Sequence, residues 1–391
     1  MPTMRGQVLA MLLDCAPRAW GSREELWLRF SEALIARGVR PVIVFSEDLP
    51  GELRNRFRAN GIEVEAVNYG RGVLHYWWRL GKIVRNYSVT AVHIAFFNYF
   101  HLIPWLARLW GVRYVIYQER NSGMVRATSW KKRLLRLRAR VAALPMTRVM
   151  AISEYIRQQL IEAGIPARKI FLAYNGVDTQ RFSPDPSARG KLAERFAVEP
   201  DETIVTSMAA LLPFKHPDVI VEAWDLLVRR GVKARLFMAG NGPMRPTLEE
   251  RCRQLGISGT VHWLGNVNPE RLLQASEIFV LASVGEAFGM VLAEALACGV
   301  PVVGSRSGAI PEIVEDGRTG FLAKPLDPAS FADAIERLAG HRELRDMMRP
   351  TGRATVLQKF SVETAVDSTI RVYQSMWEPG CALTAEGLAK G

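Results

Sequence analysis

The sequence predicts an α/β protein built from two Rossmann-like domains that face a cleft, and three observations carry that reading. Strand-like apolar runs alternate with helical patterns along almost the whole chain, the mark of parallel sheets with crossover helices. The alternation stops once, after Asn175-Gly-Val-Asp178, where the turn-rich segment Ser183-Pro-Asp-Pro-Ser187 reads as a linker, and then resumes. The 391 residues suit two or three domains of ~150 residues. With 49% hydrophobic and 23% charged residues, the composition is globular and large enough to bury a core without staples.

In the first half, residues 7–13 (QVLAMLL) read as a buried strand. The run is too short for a membrane span and lacks the small-residue cleavage site of a secretory signal. Glu24–Ala36 follows as a helix ended by Gly38, and Pro41–Phe45 as a strand. Leu53–Asn60 is a short helix ended by Gly61, Glu63–Val67 a strand, and Val73–Asn86 a helix. Ala91–Ile94 is a strand whose apolar run continues as a core helix to Trp110-Gly111. That run carries His93, Asn98, His101 and Pro104 and falls short of the ~20 residues a span needs. Arg113–Tyr117 and Arg148–Ile152 are strands, and Trp130–Leu144 and Glu154–Ala163 are helices.

The second series opens with strand Thr203–Met208, helix Val219–Arg230, strand Ala234–Ala239 and helix Met244–Leu255. Strand Val261–Leu264, helix Pro269–Ala275, strand Ile278–Ala282 and helix Gly289–Ala297 follow. Strand Val302–Gly304 and helix Pro328–Ala339 complete it. The expected division is 1–180 and 181–361. Ligands in open α/β sheets bind at the carboxyl ends of strands, and the cleft between two such domains is the natural active site.

The net charge of +12 is held unevenly: residues 1–190 contain 29 basic and 14 acidic residues, the remainder 22 and 25. The first half therefore suits an anionic partner. Its densest part is Trp130–Leu144, inside an acid-free window from Glu119 to Glu154. There Trp130, Leu134, Leu137, Val141 and Leu144 form one helical stripe, with Lys131, Lys132, Arg133, Arg136, Arg138 and Arg140 on the other faces. Such a helix fits the headgroup layer of an anionic membrane. Alternatively, its stripe packs on its own domain. Nucleic acid is not expected, because no recognised binding module accompanies the charge.

Four scattered cysteines, Cys15, Cys252, Cys298 and Cys381, argue for reduced thiols in a cytoplasmic protein. The six histidines lack metal-ligand spacing and no Asp-x-Asp pair occurs, so no metal and no cofactor are expected.

The informative segment runs from Ser283 to Pro328. Glu286 precedes Phe288-Gly289, where a helix begins, and Glu294 lies eight residues after Glu286. Gly289 permits a tight turn, and a helix start with free N–H groups is an anion site. Two carboxylates around it could hold a sugar and a ribose on either side of a diphosphate, the order found in a sugar nucleotide. Taken alone, acids near a helix start do no more than favour the dipole.

The wider context adds a resemblance. Glu286-AFGMVLA-Glu294 resembles the E-x7-E signature of family 4 glycosyltransferases, which have the GT-B fold. Glu294-Ala-Leu-Ala-Cys-Gly-Val-Pro-Val-Val, Ser307-Gly-Ala-Ile-Pro-Glu312 and Asp316-Gly-Arg-Thr-Gly-Phe321 are similar to the segments that follow it in the family. Asn175-Gly-Val-Asp178 resembles its interdomain segment, and Gly240-Asn-Gly-Pro243 its G-x-G-P turn. The match is strong over 149–328 and loose before that.

The resemblance implies retaining, metal-independent transfer of a hexose or N-acetylhexosamine from a nucleotide sugar, UDP- favoured over GDP-, to a glycan or lipid-linked acceptor. With the basic first half, it places polysaccharide or surface-glycan biosynthesis peripherally at the cytosolic membrane face. By the same resemblance, Glu294 holds the ribose and Glu286 the donor sugar. The backbone at Phe288, Gly289 and Met290 faces the sugar and diphosphate, and Lys215 neutralises the leaving diphosphate. Gly21-Ser22 approaches that phosphate from the first domain, Gly240 shapes the donor floor, and backbone near Val267 reads the base. A helix over 362–380 returns to the first domain.

Two departures stand out. Ala209-Ala210 replaces the family's Gly-Arg, leaving Arg306 or Arg23 as substitute cations. Gln118-Glu-Arg-Asn121 stands where many members have a histidine, making Glu119 a candidate base or, equally, the partner of a nearby arginine. Two other readings are a sugar-nucleotide epimerase of the same fold and a non-catalytic sugar-nucleotide-binding protein.

Overall fold

The computed structural model describes residues 4–15, 17, 22–68, 72–97, 100–120 and 129–377, and of residues 22–23, 73 and 129–133 the backbone course alone. The chain forms two units. One comprises the residues up to Gly176 together with those from Val362 onward; the other is Val177–Ser361. The first boundary falls four residues before the expected one. Val177 N–H donates to Phe360 O at 2.8 Å and bridges Ser361, so the second unit is closed there by its own two ends. The expected linker 183–187 lies inside the second unit, just after the fully buried Phe182.

Among the described residues, the first unit holds seven strands: β1 (Val8–Leu13), β2 (Arg40–Phe45), β3 (Glu63–Ala66), β4 (Ala91–Ala95), β5 (Tyr114–Glu119), β6 (Arg148–Ala151) and β7 (Ile170–Leu172). They pair in parallel in the order β3-β2-β1-β4-β5-β6-β7. All six residues of β1 are buried, because a strand covered on both faces carries an unbroken apolar run. One face packs against helices Ser22–Ile35, Gly51–Ala59 and Val362–Trp377. Trp27, Phe57, Ile370, Tyr373 and Trp377 share a core there with Leu9, Met11, Ile43 and Phe45. The last helix thus belongs to the first unit, as the resemblance implies. Its Tyr373 hydroxyl shares a 2.5 Å hydrogen bond with His93 Nδ1. Burial, with Arg120 nearby, lowers the His93 pKa to about 3, so the ring stays neutral.

After β3 the chain crosses the sheet in the opposite direction, so right-handed crossovers place the later helices on the other face. Among them are Val73–Tyr87, Ile103–Leu109 and Ser129–Ala143. The basic helix resolves one alternative left open above. It packs inward through Ala139 and Ala143, whereas Leu134, Leu137, Val141 and Leu144 are exposed. The described part of its apolar stripe therefore does not pack on its own domain.

The second unit holds β8 (Thr203–Met208), β9 (Ala234–Ala239), β10 (Val261–Gly265), β11 (Ile278–Leu281), β12 (Val302–Ser305) and β13 (Gly320–Ala323). Their order is β10-β9-β8-β11-β12-β13, again parallel. Its helices start where local chemistry dictates. Asn268 caps Pro269–Ala275 by accepting from Arg271 N, and Asp327 caps Pro328–Gly340 by accepting from Ser330 N; in both a proline occupies the first turn. Among the described residues, two strands and three α-helices were not expected from the sequence: β7, β13 and helices Ala188–Phe196, Ile310–Ile313 and Arg342–Lys359.

Candidate active site

In an open parallel sheet the ligand lies beyond the carboxyl ends of the strands, where the strand order reverses. In the second unit that point lies between β8 and β11. The loops leaving these two strands, 209–216 and 282–289, frame the site.

The first loop ends in one 3-10 turn, Pro213–Lys215, and His216 then adopts φ +50° before helix Pro217–Arg229. Histidine tolerates this left-handed conformation better than most residues. The turn sets Lys215 at the lip of the sheet. The second loop carries Glu286, and Lys215 Nζ donates to Glu286 Oε1 at 2.6 Å. The fold thus brings together two residues 71 positions apart in sequence.

The loop around Glu286 is clamped from beneath by residues 307–309. Ser307 Oγ accepts from Gly285 N at 3.1 Å, and Ala309 N donates to Glu286 O at 2.9 Å. Between them Gly308, at φ +63°, lies so close that a Cβ there would meet Glu286 N and O at 2.5 Å. Only glycine allows that approach.

Gly289 turns the chain at φ +101° into helix Met290–Ala297, whose start no side chain caps. The amides of its first turn are therefore directed at the site. Phe288 is buried against Phe360, ring centroids 5.6 Å apart, so its backbone alone can face a ligand. Glu294 sits further along this helix and is buried. Arg353 anchors the helix at its other end by donating to Ala297 O, and also to Phe182 O at 3.2 Å. Burial pushes the nearby Cys298 thiol up to about 12, with Glu294 adding to the shift, so it is an inert packing group.

The floor is stitched from three loops. A Cβ on Gly240 would lie 2.0 Å from Ala209 O, and one on Gly242 2.3 Å from Leu211 O. Leu211 N donates to Asn241 O at 3.0 Å, and Gly240 N to Gly265 O at 2.7 Å. Ala210 is exposed beside them and Val267 is exposed past the end of β10. Of the substitute cations, Arg306 is already paired with Asp316, and the Arg23 side chain lies outside the described residues. Sequence reasoning did not single out Arg245, which is paired with Glu249 at 2.7 Å and whose Nη1 donates to Asn241 Oδ1 at 3.2 Å beside Gly265. A basic residue in a helix's first turn gave no signal of that placement.

In the first unit, Gly21 lies outside the described residues. Ser22 opens helix Ser22–Ile35, but its side chain is likewise outside them. Glu119 ends β5 and is 3% exposed, accepting from the Tyr117 hydroxyl at 3.2 Å. Its neighbour Arg120 donates to Asn175 Oδ1 at 2.6 Å and to Gln118 Oε1 at 3.2 Å.

Residues 24–181 match the family described as Glycosyltransferase Family 4, and residues 189–355 match Glycosyl transferases group 1. The chain belongs to the family 4 glycosyltransferases. Among its curated relatives, the N-acetyl-alpha-D-glucosaminyl L-malate synthase of Bacillus anthracis is 31% identical over 58% of this chain and 58% of its own. The GDP-mannose-dependent alpha-(1-6)-phosphatidylinositol monomannoside mannosyltransferase of Mycolicibacterium smegmatis is 32% identical over 55% of this chain and 59% of its own. The chain thus spans under two thirds of the length of these relatives. Anabaena HepE, solved in complex with UDP, superposes with a TM-score of 0.79 at 20% identity, covering 94% of this chain and 100% of the other. That likeness places this family 4 member in the GT-B fold.

Proposed function

We propose that the protein transfers a hexose or N-acetylhexosamine from a nucleoside-diphosphate sugar to a glycan or lipid-linked acceptor, with retention at the anomeric carbon. The observation that carries this reading is the Lys215–Glu286 contact beside the uncapped start of helix Met290–Ala297. A cation and a set of free amides there are aimed at one anion, with a carboxylate next to it.

Charge develops on the diphosphate as the glycosidic bond breaks. Lys215 and the amides at Gly289 and Met290 stabilise that charge with groups already in place, which is where such sites gain most of their rate. Glu286 gives up Lys215 to the phosphate and accepts from donor sugar hydroxyls, while Glu294 accepts from the ribose. The lysine and helix start supply positive charge without a divalent cation, so EDTA should leave turnover unchanged. Loss of turnover restored by manganese would refute this part of the reading.

Glu119 acts as a base only if an acceptor hydroxyl reaches its buried carboxylate; the Tyr117 hydroxyl, which also donates to Phe97 O at 2.7 Å, does not occupy all of its lone pairs. Turnover lost in Glu119→Gln at unchanged melting temperature would support that role, and normal turnover would remove it. On the base, the Anabaena structure holds UDP, whereas the Mycolicibacterium relative uses GDP-mannose; we take UDP, with the backbone near Val267 as its reading site. A thermal-shift comparison of UDP and GDP tests it, since only a bound nucleotide raises the midpoint.

We place the reaction at the cytosolic face of a membrane. The support is the basic helix Ser129–Ala143, whose Leu134, Leu137 and Val141 are exposed between arginines. Among the described residues, no helix is long and apolar enough to cross a membrane.

A further inference from the structure

Between Glu65 and Glu154 the chain carries 15 basic residues and a single carboxylate, Glu119. That carboxylate is buried. The segment includes the three helices assigned above to one face of the first sheet, Val73–Tyr87, Ile103–Leu109 and Ser129–Ala143.

These helices stand side by side. Trp77 of the first packs on Trp110, just past the second, with ring centroids 5.0 Å apart, and Trp110 Nε1 donates to Trp77 O. Gly81 makes that contact possible, because a Cβ there would lie 2.3 Å from the Trp110 ring. The second helix meets the end of the third through Arg108, which donates to Pro145 O at 2.8 Å and Thr147 Oγ1 at 3.0 Å. The Arg138 guanidinium of the third lies 5.1 Å from the Phe100 ring, just before the second.

Each helix also shows apolar side chains to solvent. On the first, Leu74 is 81% exposed, and Trp78 is half exposed with Lys82 Nζ 4.0 Å from its ring centroid. On the second, Trp105 and Leu109 lie one turn apart, Leu109 76% exposed. Soluble monomers rarely keep apolar groups clustered in this way without a partner.

We propose that the outer face of all three helices is one docking surface for an anionic lipid leaflet. The inference rests on the membrane reading of the basic helix and extends it to two further helices. Leucines on such a face enter the acyl boundary, tryptophans settle at headgroup level, and basic side chains meet lipid phosphates. The charge decides the occupant. A second copy would bring another strongly basic face against this one, and like charges repel, whereas an anionic leaflet complements it.

Co-sedimentation with phosphatidylcholine vesicles containing about a third phosphatidylglycerol tests the proposal. The protein should bind these vesicles at low salt, lose most of that binding at high salt, and ignore pure phosphatidylcholine. Trp105→Ser with Leu109→Ser should lower partitioning about tenfold or more, as should Leu137→Ser with Leu144→Ser on the third helix. Both variants should keep the melting shift produced by UDP, which shows that they are folded. If the Trp105/Leu109 variant partitions within about twofold of the parent while the Leu137/Leu144 variant does not, the three-helix surface is wrong and the single-helix reading survives. A parent that ignores anionic vesicles at low salt overturns both. A parent dimer that the Trp105/Leu109 variant converts to monomer assigns the face to a second copy and overturns the proposal.

Discussion

Lys215 and Glu286 satisfy each other's charge at 2.6 Å, and in the proposed reaction each is the group the other releases when a donor arrives. Removing either should therefore act on turnover far more than on folding. Lys215→Ala should lower kcat by about 10²–10³, the usual cost of removing one preorganised charge-stabilising donor. Glu286→Gln should lower it by a similar order while UDP still raises the melting temperature. Equal turnover in either variant would remove that residue from the chemistry. His93 makes a different single-residue prediction. Its pKa falls from 6.5 to about 3 on folding, through burial first and Arg120 second. The unfolded chain therefore binds a proton that the folded chain refuses. The contribution is complete above about pH 6.5 and is lost as pH falls toward 3, amounting to about 2 kcal/mol by pH 5. Urea unfolding of the parent and of His93→Gln at pH 8 and pH 5 should show the variant's midpoint falling less. Glu286, Glu294 and Lys215 could be named as candidates from sequence because their spacing and company are distinctive. Arg245 and the burial of Glu119 were not, because a basic residue in a first turn and an acid at a strand end are ordinary in sequence, and only the fold shows that Arg245 lies beside Gly265 and that Glu119 is covered.

Short elements set the geometry that those side chains use. The turn at 307–309 clamps the Glu286 loop, and Gly308 meets its backbone where a Cβ would be 2.5 Å away. Gly308→Ala should cost about 2–4 kcal/mol, from the left-handed φ and from backbone displaced by the added methyl. Turnover should fall with it. A fully active variant with an unchanged melting temperature would show that the clamp does not position Glu286. The sequence displayed this turn as a matching motif, but its task is visible only from the approach distance. Helix Arg342–Lys359 shows the opposite limit. Pro350 lies inside it, and an internal proline reads in sequence as a helix end. Gly352 then brings this helix against Leu296, whose Cδ2 a Cβ would meet at 2.8 Å. The edge strand β7 is three residues long, and β13 begins inside the glycine-rich segment Asp316–Phe321, where turn signals mask a strand.

At the scale of the molecule, the alternation of strands and helices made the two parallel sheets readable from end to end. The boundary was misplaced because Ser183-Pro-Asp-Pro-Ser187 has the composition of a linker, while the true closure, Val177 against Phe360 and Ser361, joins residues far apart in sequence. Because both ends of the second unit meet there, residues 177–361 should fold when produced alone. A cooperative thermal transition would show it, and a fragment without one would deny the unit its independence. The first unit has no such freedom. Its core includes Ile370, Tyr373 and Trp377, which arrive only after the whole second unit has been made. On the ribosome, the nascent amino-terminal sheet must therefore wait with part of one apolar side open until the final helix emerges. Chains released early by a premature stop near residue 361 should be prey for chaperones and proteases, even with the whole second unit already made.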